Sequence, residues 1–425
     1  MAPDILIAWF NVHGGAFHKL LSLHERLRAC GLTCQLGFNS GPPRGLKVGA
    51  DVPEALLPEL EAQGVRFLPR TELVAWVRGQ RPRLLLTDAH HDPDIPGLIE
   101  QAKARGIKTA QMATLLGDFT SHGAGHLLLQ HPLTLFFERE FNRTRQSARL
   151  AQAETIFFTG NVFFEPTTNP LFGGFADRAA FCAKYGYNPE RPILLWLPSS
   201  PDAKSHVYEE VCLAVERAGL NLAIKLHPWE YAIKKHGKQP GDDWGQGRPS
   251  DEIFGRRAVD EPDSSWAFQF CDAAILRASA IGLELPFWER PGLLLPVDKK
   301  PRLFEAQAHM TRSCSLSLGG VDGLERLLAE GKLPSHSARD YQRGREAVRL
   351  PGPGDAFDRT IAALRHILNP ADSADNLPPH LRPGGDLDAL ARSCQPFVDH
   401  MLARTLTPLH RLGYELGCLR RWLRR

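Results

Sequence analysis

A histidine-rich and carboxylate-rich segment follows an apolar run in the first quarter of the chain. Thr87–Asp92 contains Asp88, His90 and His91, with Asp92 closing the group. An imidazole beside a carboxylate can act as a general base with an orienting acid. The same groups also suit several divalent metal ions, but no third ligand group is evident nearby. We therefore expect this segment to supply a general base or to bind the acceptor, with Asp88 as the first candidate, and we predict no metal site. A loop that is polar without a further role is the alternative left open.

A second polar segment, Asn11–Lys19, follows the first apolar run of the sequence. Gly14 and Gly15 allow a tight turn and a close approach of the backbone to a ligand, and a helix N-terminus favours negative charge. The segment lacks the G-x-G-x-x-G spacing of a dinucleotide site. His13 and His18 are further candidates for the base, and His18 ranks beside Asp88. The alternative left open is a tight turn with exposed histidines.

Two segments in the second half of the chain are suited to hold phosphate. In Lys225–Glu230, Pro228 at a first helical position pre-sets a helix whose N–H groups can bind an anion, and His227 adds a directed donor. Ser199 and Ser200 follow another apolar run and offer two hydroxyl groups. The alternative for His227 is a buried capping residue. We expect these four residues to contribute to donor binding.

The segment Asp272–Glu284 combines an apolar run with small residues and a carboxylate. Backbone amides around Ser279 and Ala280 can cradle a phosphate, and Arg277 precedes them. Glu284 lies one helical turn further on, so that both of its carboxylate oxygens are expected to be available for the hydroxyl groups of a ribose. A Ser-capped helix with an exposed Glu is the alternative.

Alternating apolar runs and amphipathic segments predict the elements that position these residues. Strands separated by helices indicate βαβ units and parallel sheets. The pattern stops at 166–174, a stretch rich in Thr, Asn, Pro and Gly, and then restarts. The fold class is therefore α/β, with two doubly wound domains at 1–165 and 175–370 and a helical segment at 371–425. The strands predicted are Ile5–Phe10, Leu32–Phe38, Leu84–Thr87, Lys108–Met112, Thr155–Phe158, Ile193–Leu197, Leu222–Leu226, Ala273–Leu276 and Gly292–Pro296.

Composition narrows the class of protein. The 425 residues carry a net charge of +3, which does not indicate a nucleic-acid-binding protein. The eight cysteines form no C-x-x-C pair, so we expect buried thiols in a reducing compartment. The N-terminus has no basic leader, and no apolar run reaches the roughly 20 residues of a membrane-spanning helix. A cytoplasmic location is the expectation.

The order of these segments resembles the nucleotide-binding half of GT-B proteins over roughly residues 155–300. Similar groups are UDP-N-acetylglucosamine 2-epimerases, CDP-glycerol glycerophosphotransferases and bacterial capsule transferases with a His-Pro motif. The resemblance implies two Rossmann-like domains that face a cleft. It also implies that His227 and the helix after Pro228 hold one phosphate, that Ser279 and its neighbours hold a second, that Glu284 binds the ribose, and that Asp88 faces the sugar.

The resemblance implies a glycosyltransferase that moves a sugar or polyol phosphate from a UDP-, CDP- or CMP-linked donor to a cell-surface glycan or lipid-linked acceptor, with inversion and without a metal. Two departures count against an epimerase. Ala113 and Thr114 stand where epimerases carry a Glu, and Ser199 and Ser200 stand where they carry a His. Both an epimerase-like enzyme and a non-catalytic nucleotide-sugar-binding or scaffold subunit remain alternatives.

The last residues, 410–425, form a basic amphipathic segment. Leu412, Leu416, Leu419 and Leu423 recur at helical spacing, and four of the last six residues are Arg. Such a helix can lie on an anionic membrane surface. The equal alternative is a terminal helix that packs back on the N-terminal domain.

Overall fold

The computed structural model describes fifteen stretches of the chain, with gaps between them. They are residues 2–10, 14–40, 56–90, 92–114, 120–132, 134, 152–167, 175–198, 207–225, 258–259, 265–277, 280–296, 308–349, 353–372 and 377–382.

The first sheet has eight strands in the order β14-β7-β6-β5-β4-β1-β2-β3, and all neighbours are parallel except β14 and β7. Its strands are β1 (Ile5–Trp9), β2 (Cys34–Asn39), β3 (Val65–Leu68), β4 (Leu84–Asp88), β5 (Lys108–Met112), β6 (His126–Leu129), β7 (Thr155–Phe158) and β14 (His380–Leu381). The helices between them are α1 (Gly14–Ala29), α2 (Leu57–Ala62), α3 (Arg70–Gly79) and α4 (Ile95–Ala104).

Burial on both faces explains why these strands are almost continuously apolar. All five residues of β1 are buried. Ile5 and Ile7 point into one hydrophobic cluster, whereas Leu6 and Ala8 point into another on the opposite face. The helices that connect successive strands supply the apolar residues that complete both clusters.

The second sheet has six strands in the order β10-β9-β8-β11-β12-β13, and every pair is parallel. Its strands are β8 (Ile193–Leu197), β9 (Asn221–Lys225), β10 (Ala258–Val259), β11 (Ala273–Leu276), β12 (Gly292–Leu294) and β13 (Ser315–Ser317). Its helices are α5 (Arg178–Tyr185), α6 (Val207–Arg217), α7 (Ser265–Phe270), a 3₁₀ helix at Ala280–Glu284, α8 (Leu285–Trp288), α9 (Val321–Ala329) and α10 (Ala338–Arg349). The prediction of two doubly wound parallel sheets is therefore confirmed.

The chain returns to the first sheet before residue 370. Helix α11 (Ala356–Leu368) begins with a capping box formed by Asp355 and Asp358. Its Phe357 and Leu364 lie in a hydrophobic cluster of the first sheet, and β14 then pairs with β7. The predicted domain limits at residues 165, 175 and 370 stay predictions, and the residues of α11 and β14 pack on the first sheet. The apolar face of α11 fits the first sheet, and sequence periodicity does not say which of two sheets a helix covers.

Side chains from the second unit pack into the core of the first. Leu283 and Phe287, which lie in the segment after β11, share a buried cluster with Phe163 and Phe164, which follow β7. Val348 near the end of α10 joins the same cluster. The two units therefore meet where the chain passes between them. Among the described residues, no helix is long and apolar enough to cross a membrane.

Candidate functional site

Each sheet has one point at which the order of its strands reverses, and open parallel sheets bind ligands beyond the carboxyl ends of the strands at such points. The reversal lies between β1 and β4 in the first sheet and between β8 and β11 in the second. Asp88 is the last residue of β4, and Arg277 directly follows β11. Two residues predicted from sequence therefore lie at the two expected ligand-binding edges.

Asp88 bridges the first of these points. Its Oδ2 accepts a hydrogen bond from the backbone N–H of Phe10 at 2.7 Å, and its Oδ1 accepts a longer one from the His90 N–H at 3.4 Å. The Asp88 side chain is fully buried. Asn39 extends the connection, because its Nδ2 donates to the Phe10 carbonyl at 3.2 Å. Asp88 thus holds the ends of β1 and β4 together.

His90 belongs to a buried polar group at the ends of β4 and β5. Its Nε2 lies 2.5 Å from Thr114 Oγ1, and its backbone carbonyl lies 2.6 Å from His122 Nε2. Gln111 completes the group, since its Oε1 accepts from the His122 N–H at 2.8 Å and its Nε2 donates to the Asp88 carbonyl at 3.2 Å. A carbonyl can only accept, so His122 Nε2 carries a proton here. His90 is therefore held by residues at the end of β5 and by His122, which precedes β6.

Asn161 links the same polar group to the ends of β6 and β7. Its Nδ2 donates to the Thr114 carbonyl at 2.6 Å and to Gln130 Oε1 at 2.9 Å, while its Oδ1 accepts from the Phe163 N–H at 2.9 Å. Gly160 allows the sharp turn before it, with a φ of +77°. Hydrogen bonds therefore run along the carboxyl edge of the first sheet from β2 to β7.

Arg70 supports the loop after β4 from the side of β3. Its Nη2 donates to Asp92 Oδ1 at 2.6 Å and its Nε to Asp94 Oδ2 at 2.7 Å. The Asp94 N–H also donates to Asp92 Oδ1 at 2.9 Å. Two charge-assisted bonds from one planar guanidinium set both position and orientation. The loop that contains His90 is consequently held at both of its ends.

His18 lies inside the first unit, in α1. Its side chain is only 1% exposed, and its ring packs against that of Phe17 with the centroids 5.3 Å apart. Lys19 is also buried, and its Nζ donates to the backbone oxygen of Glu165. The alternative of an exposed histidine at this position is excluded. A catalytic role for His18 remains a prediction.

Arg277 and Glu284 are both buried at the edge of the second sheet. The Nε of Arg277 donates to the Pro296 carbonyl at 2.9 Å, which ties the end of β11 to the end of β12. Glu284 ends the 3₁₀ helix, and its Oε2 accepts a long bond of 3.4 Å from Trp288 Nε1. The binding of a ribose by Glu284 stays a prediction, and Trp288 contacts one of its two oxygens.

The two units lie near each other beside His131, which follows β6. Burial lowers the pKa of His131 to about 4, and the nearby His309 of the second unit acts in the same direction. His309 lies in a helical turn over residues 308–311. Residues from both units therefore lie beside the polar edge of the first sheet.

Several predicted site residues lie outside the described part of the chain. They are His13, His91, Ser199, Ser200, His227, Pro228 and Ser279. Gly14 and Gly15 begin α1, and Ala280 begins the 3₁₀ helix, as expected for residues at a turn after a strand. Within the described stretches, no group of three or more His, Cys, Asp and Glu side chains is arranged to hold a metal ion.

Several polar residues of this edge are not among those predicted from the sequence. Gln111, His122 and Gln130 were not singled out, and β6 was not predicted. The short run His126–Leu129 followed by a polar residue is the signal that could have identified Gln130. His122 has no such signal, because its position depends on Gln111 from another strand.

Comparisons with known proteins give the fold a name. No protein-family model matches the sequence, and no curated protein sequence matches it significantly. A structure from Listeria monocytogenes named for UDP-N-acetylglucosamine 2-epimerase is 14% identical, has a TM-score of 0.52, and covers 89% of this chain and 100% of its own. The glycotransferase of kitacinnamycin is 12% identical and has a TM-score of 0.51. The match covers 87% of this chain and 100% of the glycotransferase chain. TcCGT1 in complex with UDP is 10% identical, with a TM-score of 0.52 and coverage of 86% and 99%.

With identities of 10–14%, these three structures show that the fold is shared, and nothing beyond the fold. The likeness extends over nearly the whole length of each solved chain, so it includes both sheets. The chain therefore has the GT-B fold, with two Rossmann-like parallel-sheet domains.

Proposed function

We propose that this protein is a glycosyltransferase that moves a sugar or polyol phosphate from a nucleotide-activated donor to a cell-surface glycan or a lipid-linked acceptor. The observation that carries the proposal is that the order of the strands reverses once in each of the two sheets, so that the fold has two expected ligand-binding edges. Asp88 lies at the first and Arg277 at the second, each buried and each at the carboxyl end of a parallel strand. One edge can hold the donor and the other can serve the reacting hydroxyl group.

The donor is proposed to bind at the second sheet. Arg277 supplies a positive charge suited to a phosphate, and Glu284 supplies a carboxylate oxygen suited to a ribose hydroxyl. The sequence adds candidates that lie outside the described residues, namely His227, Pro228, Ser199, Ser200 and Ser279, together with the turn at Ala280. The nucleotide is UDP, CDP or CMP in this proposal. The UDP named with TcCGT1, which shares the fold, makes UDP the first to test.

The general base is proposed to lie on the first sheet. Asp88 and His18 rank first, with His13 and His91 as further candidates. A base that takes the proton of the acceptor hydroxyl would allow direct displacement with inversion. The phosphate charge that develops on the leaving group would be carried by Arg277, His227 and backbone N–H groups. No metal ion is assigned a role in this mechanism.

A transferase is favoured over an epimerase by the residues at the end of β5. Ala113 and Thr114 stand where the epimerases carry a Glu. Thr114 Oγ1 contacts His90 at 2.5 Å, and its carbonyl accepts from Asn161 at 2.6 Å. A neutral hydroxyl held in this way offers no carboxylate for proton abstraction from a sugar carbon.

We include contact with a membrane surface in the proposal because of the sequence of residues 410–425 alone. The basic amphipathic segment 410–425 lies outside the described residues. If the acceptor is lipid-linked, this segment would bring the enzyme to the cytoplasmic face of an anionic membrane.

The proposal is tested by thermal unfolding of the full chain with UDP, CDP, CMP, GDP and dTDP, with and without magnesium. A ligand that binds only the folded state raises the free energy of unfolding by about 2.7 kcal/mol when its concentration is a hundred times Kd. Arg277→Met is expected to abolish the rise in Tm. The matched control is Arg178→Met, because Arg178 pairs with Asp272 at the opposite end of β11, at 2.8 Å. That control should lower the Tm of the free protein and keep the nucleotide response.

The outcomes separate the alternatives. A nucleotide response without turnover on any glycan or lipid-linked acceptor would favour a non-catalytic binding subunit. Conversion of UDP-N-acetylglucosamine to its C2 epimer, either still linked to UDP or hydrolysed to the free sugar and UDP, would favour an epimerase. Wild-type protein whose Tm does not respond to any of the five nucleotides would refute the proposed donor binding.

A further inference from the structure

Two fully buried polar groups at the end of β6 have no hydrogen-bond partner within the described part of the chain. They are Nε2 of Gln130 and Oγ1 of Thr134, one turn further along. Leaving a buried donor without an acceptor costs about 1–3 kcal/mol. Both groups belong to the carboxyl edge of a parallel sheet, where ligands bind. Their position at that edge calls for an explanation beyond packing.

The orientation of the Gln130 amide is fixed by Asn161. The Oδ1 of Asn161 accepts from the Phe163 N–H, and its Nδ2 donates to the Thr114 carbonyl, so the Asn161 amide cannot be reversed without losing both bonds. The Nδ2 also donates to Gln130, so the atom that faces it must be the oxygen. The NH₂ group of Gln130 therefore points away from Asn161 as a pre-oriented donor.

The surroundings of Gln130 place it next to the second unit. The following residue, His131, lies near His309 of that unit. The N–H of Thr134 donates to the His131 carbonyl at 2.9 Å, which holds Thr134 close to His131. A group bound by Gln130 and Thr134 would therefore lie between the polar edge of the first sheet and the turn over 308–311.

The side chains of Gln130 and Thr134 and their neighbours favour a ligand with a neutral oxygen atom. An amide NH₂ only donates, whereas a hydroxyl can donate and accept. Burial lowers the pKa of His131 to about 4, so that its imidazole is neutral at pH 7. Asn161 and Thr114 add no charge. A hydroxyl or an amide carbonyl of a sugar satisfies this set, whereas a phosphate or carboxylate would bring an unbalanced charge into it.

We propose that Gln130 and Thr134 form a subsite that binds a hydroxyl or carbonyl oxygen of the sugar carried by the nucleotide. The inference rests on the proposed function, and it concerns the part of the donor site that contacts the sugar instead of the nucleotide. Gln130 donates to the sugar oxygen, and Thr134 exchanges a hydrogen bond with the same group. Asn161 acts as a positioning residue for Gln130.

The test compares affinities for three pairs of probes, each a nucleotide and its conjugate. The pairs are UDP and UDP-N-acetylglucosamine, CDP and CDP-glycerol, and CMP and CMP-N-acetylneuraminate. Gln130→Met and Thr134→Val remove the two groups with little change in volume. We expect each variant to bind the preferred conjugate about 5- to 10-fold more weakly, while the affinity for the bare nucleotide stays the same.

Thermal unfolding without ligand provides a second measurement. Gln111→Met is the comparator, because Gln111 is a buried glutamine of the adjacent strand whose two polar atoms are both bonded. We expect Gln111→Met to lower the Tm more than Gln130→Met, and Thr134→Val to leave the Tm unchanged or higher. An equal loss for both glutamines would show that the Gln130 donor is already satisfied and would overturn the inference.

The outcomes distinguish this inference from the proposed function. If the wild-type protein binds no nucleotide, the proposed function fails and the subsite fails with it. If nucleotides bind but both variants keep the wild-type ratio of conjugate to nucleotide affinity, the donor site stands and the subsite is overturned, with a buried water as its occupant. Thr134→Val preserves the test should Gln130→Met fail to fold.

Discussion

Arg349 Nη1 donates to Glu165 Oε1 at 2.9 Å, and this pair joins the two stretches of chain that pass between the sheets. Glu165 follows β7 on the way to the second sheet, and Arg349 ends α10 on the way back. The same Oε1 accepts from the N–H of Ala356 at 2.9 Å, so Glu165 also satisfies the start of α11. The guanidinium of Arg349 lies 5.6 Å from the ring centroid of Phe287 in the second unit. The carboxylate of Glu165 thus stabilises both stretches of chain that connect the two sheets.

Replacing Glu165 by Ala is expected to lower the free energy of unfolding by about 3 kcal/mol, because the partly buried Arg349 and the buried N–H of Ala356 both lose their partner. Glu165→Gln should cost less, since it keeps an oxygen for Ala356. The matched control is Glu325→Ala, which breaks an exposed pair of the same length, Arg217–Glu325 at 2.9 Å. That control should cost at most about 1 kcal/mol. Urea unfolding measures all three, and equal losses for Glu165→Ala and Glu325→Ala would contradict the role of the pair.

Asp88 variants separate a structural from a catalytic role. Asp88→Asn keeps an oxygen that can accept from the Phe10 N–H, so its Tm should stay close to that of the wild type. If Asp88 is the base, the same variant should lower kcat by about 100-fold or more, because an amide does not take up a proton. Asp88→Ala should lower both kcat and Tm. Unchanged kcat in Asp88→Asn would remove Asp88 as the base and leave its role in joining β1 and β4.

Buried histidines predict a loss of stability in mild acid. Burial lowers the pKa of His126 from 6.5 to about 4, and burial also lowers the pKa of His24. The unfolded chain therefore takes up protons before the folded chain does. The stability that comes from keeping His126 neutral is complete above about pH 6.5 and is lost as the pH falls toward 4, and His24 acts in the same direction. For His126 the full difference corresponds to roughly 3 kcal/mol.

The measurement is Tm against pH between 7.5 and 5.0. The wild-type protein should lose stability over this interval, and His126→Leu should show a shallower slope. A slope in His126→Leu as steep as that of the wild type would mean that another group governs the acid response.

The described cysteines should differ in reactivity. Cys30 is exposed, whereas burial raises the pKa of both Cys271 and Cys314 to about 12. Only the thiolate reacts, so at pH 8 iodoacetamide should label Cys30 at least about 100-fold faster than the other two. Peptide mapping by mass spectrometry assigns each site, and labelling in urea serves as the control. Comparable rates for Cys30 and Cys314 in the folded protein would contradict this prediction.

Most of the fold could be predicted from local pattern. Ile193–Leu197, Ala273–Leu276 and Lys108–Met112 occur with the predicted bounds, because a short apolar run between turn residues has few other ways to be buried. The sequence did not indicate β3 or β6, which have four residues each. Length is not the reason, because Ala273–Leu276 also has four residues. In β3 the charged, exposed Arg66 interrupts the apolar run, and only Val65 is buried.

The candidate site was predictable only where a polar residue ends a strand or directly follows one. Asp88 and Arg277 have that signal. Gln130 depends on Asn161 across two strand ends, and Glu165 depends on Arg349 far along the chain. Such contacts arise from tertiary structure, so residue type and spacing do not reveal them.

The return of α11 and β14 to the first sheet has a consequence for synthesis on the ribosome. Strand β7 emerges early, but its antiparallel neighbour β14 is made only after the entire second sheet. At about 5–20 residues per second, the edge of β7 stays open for tens of seconds. An uncovered strand edge can pair with another chain. The nascent protein therefore passes through an interval in which a chaperone that shields β7 would raise its yield, and truncation before residue 356 would make that exposure permanent.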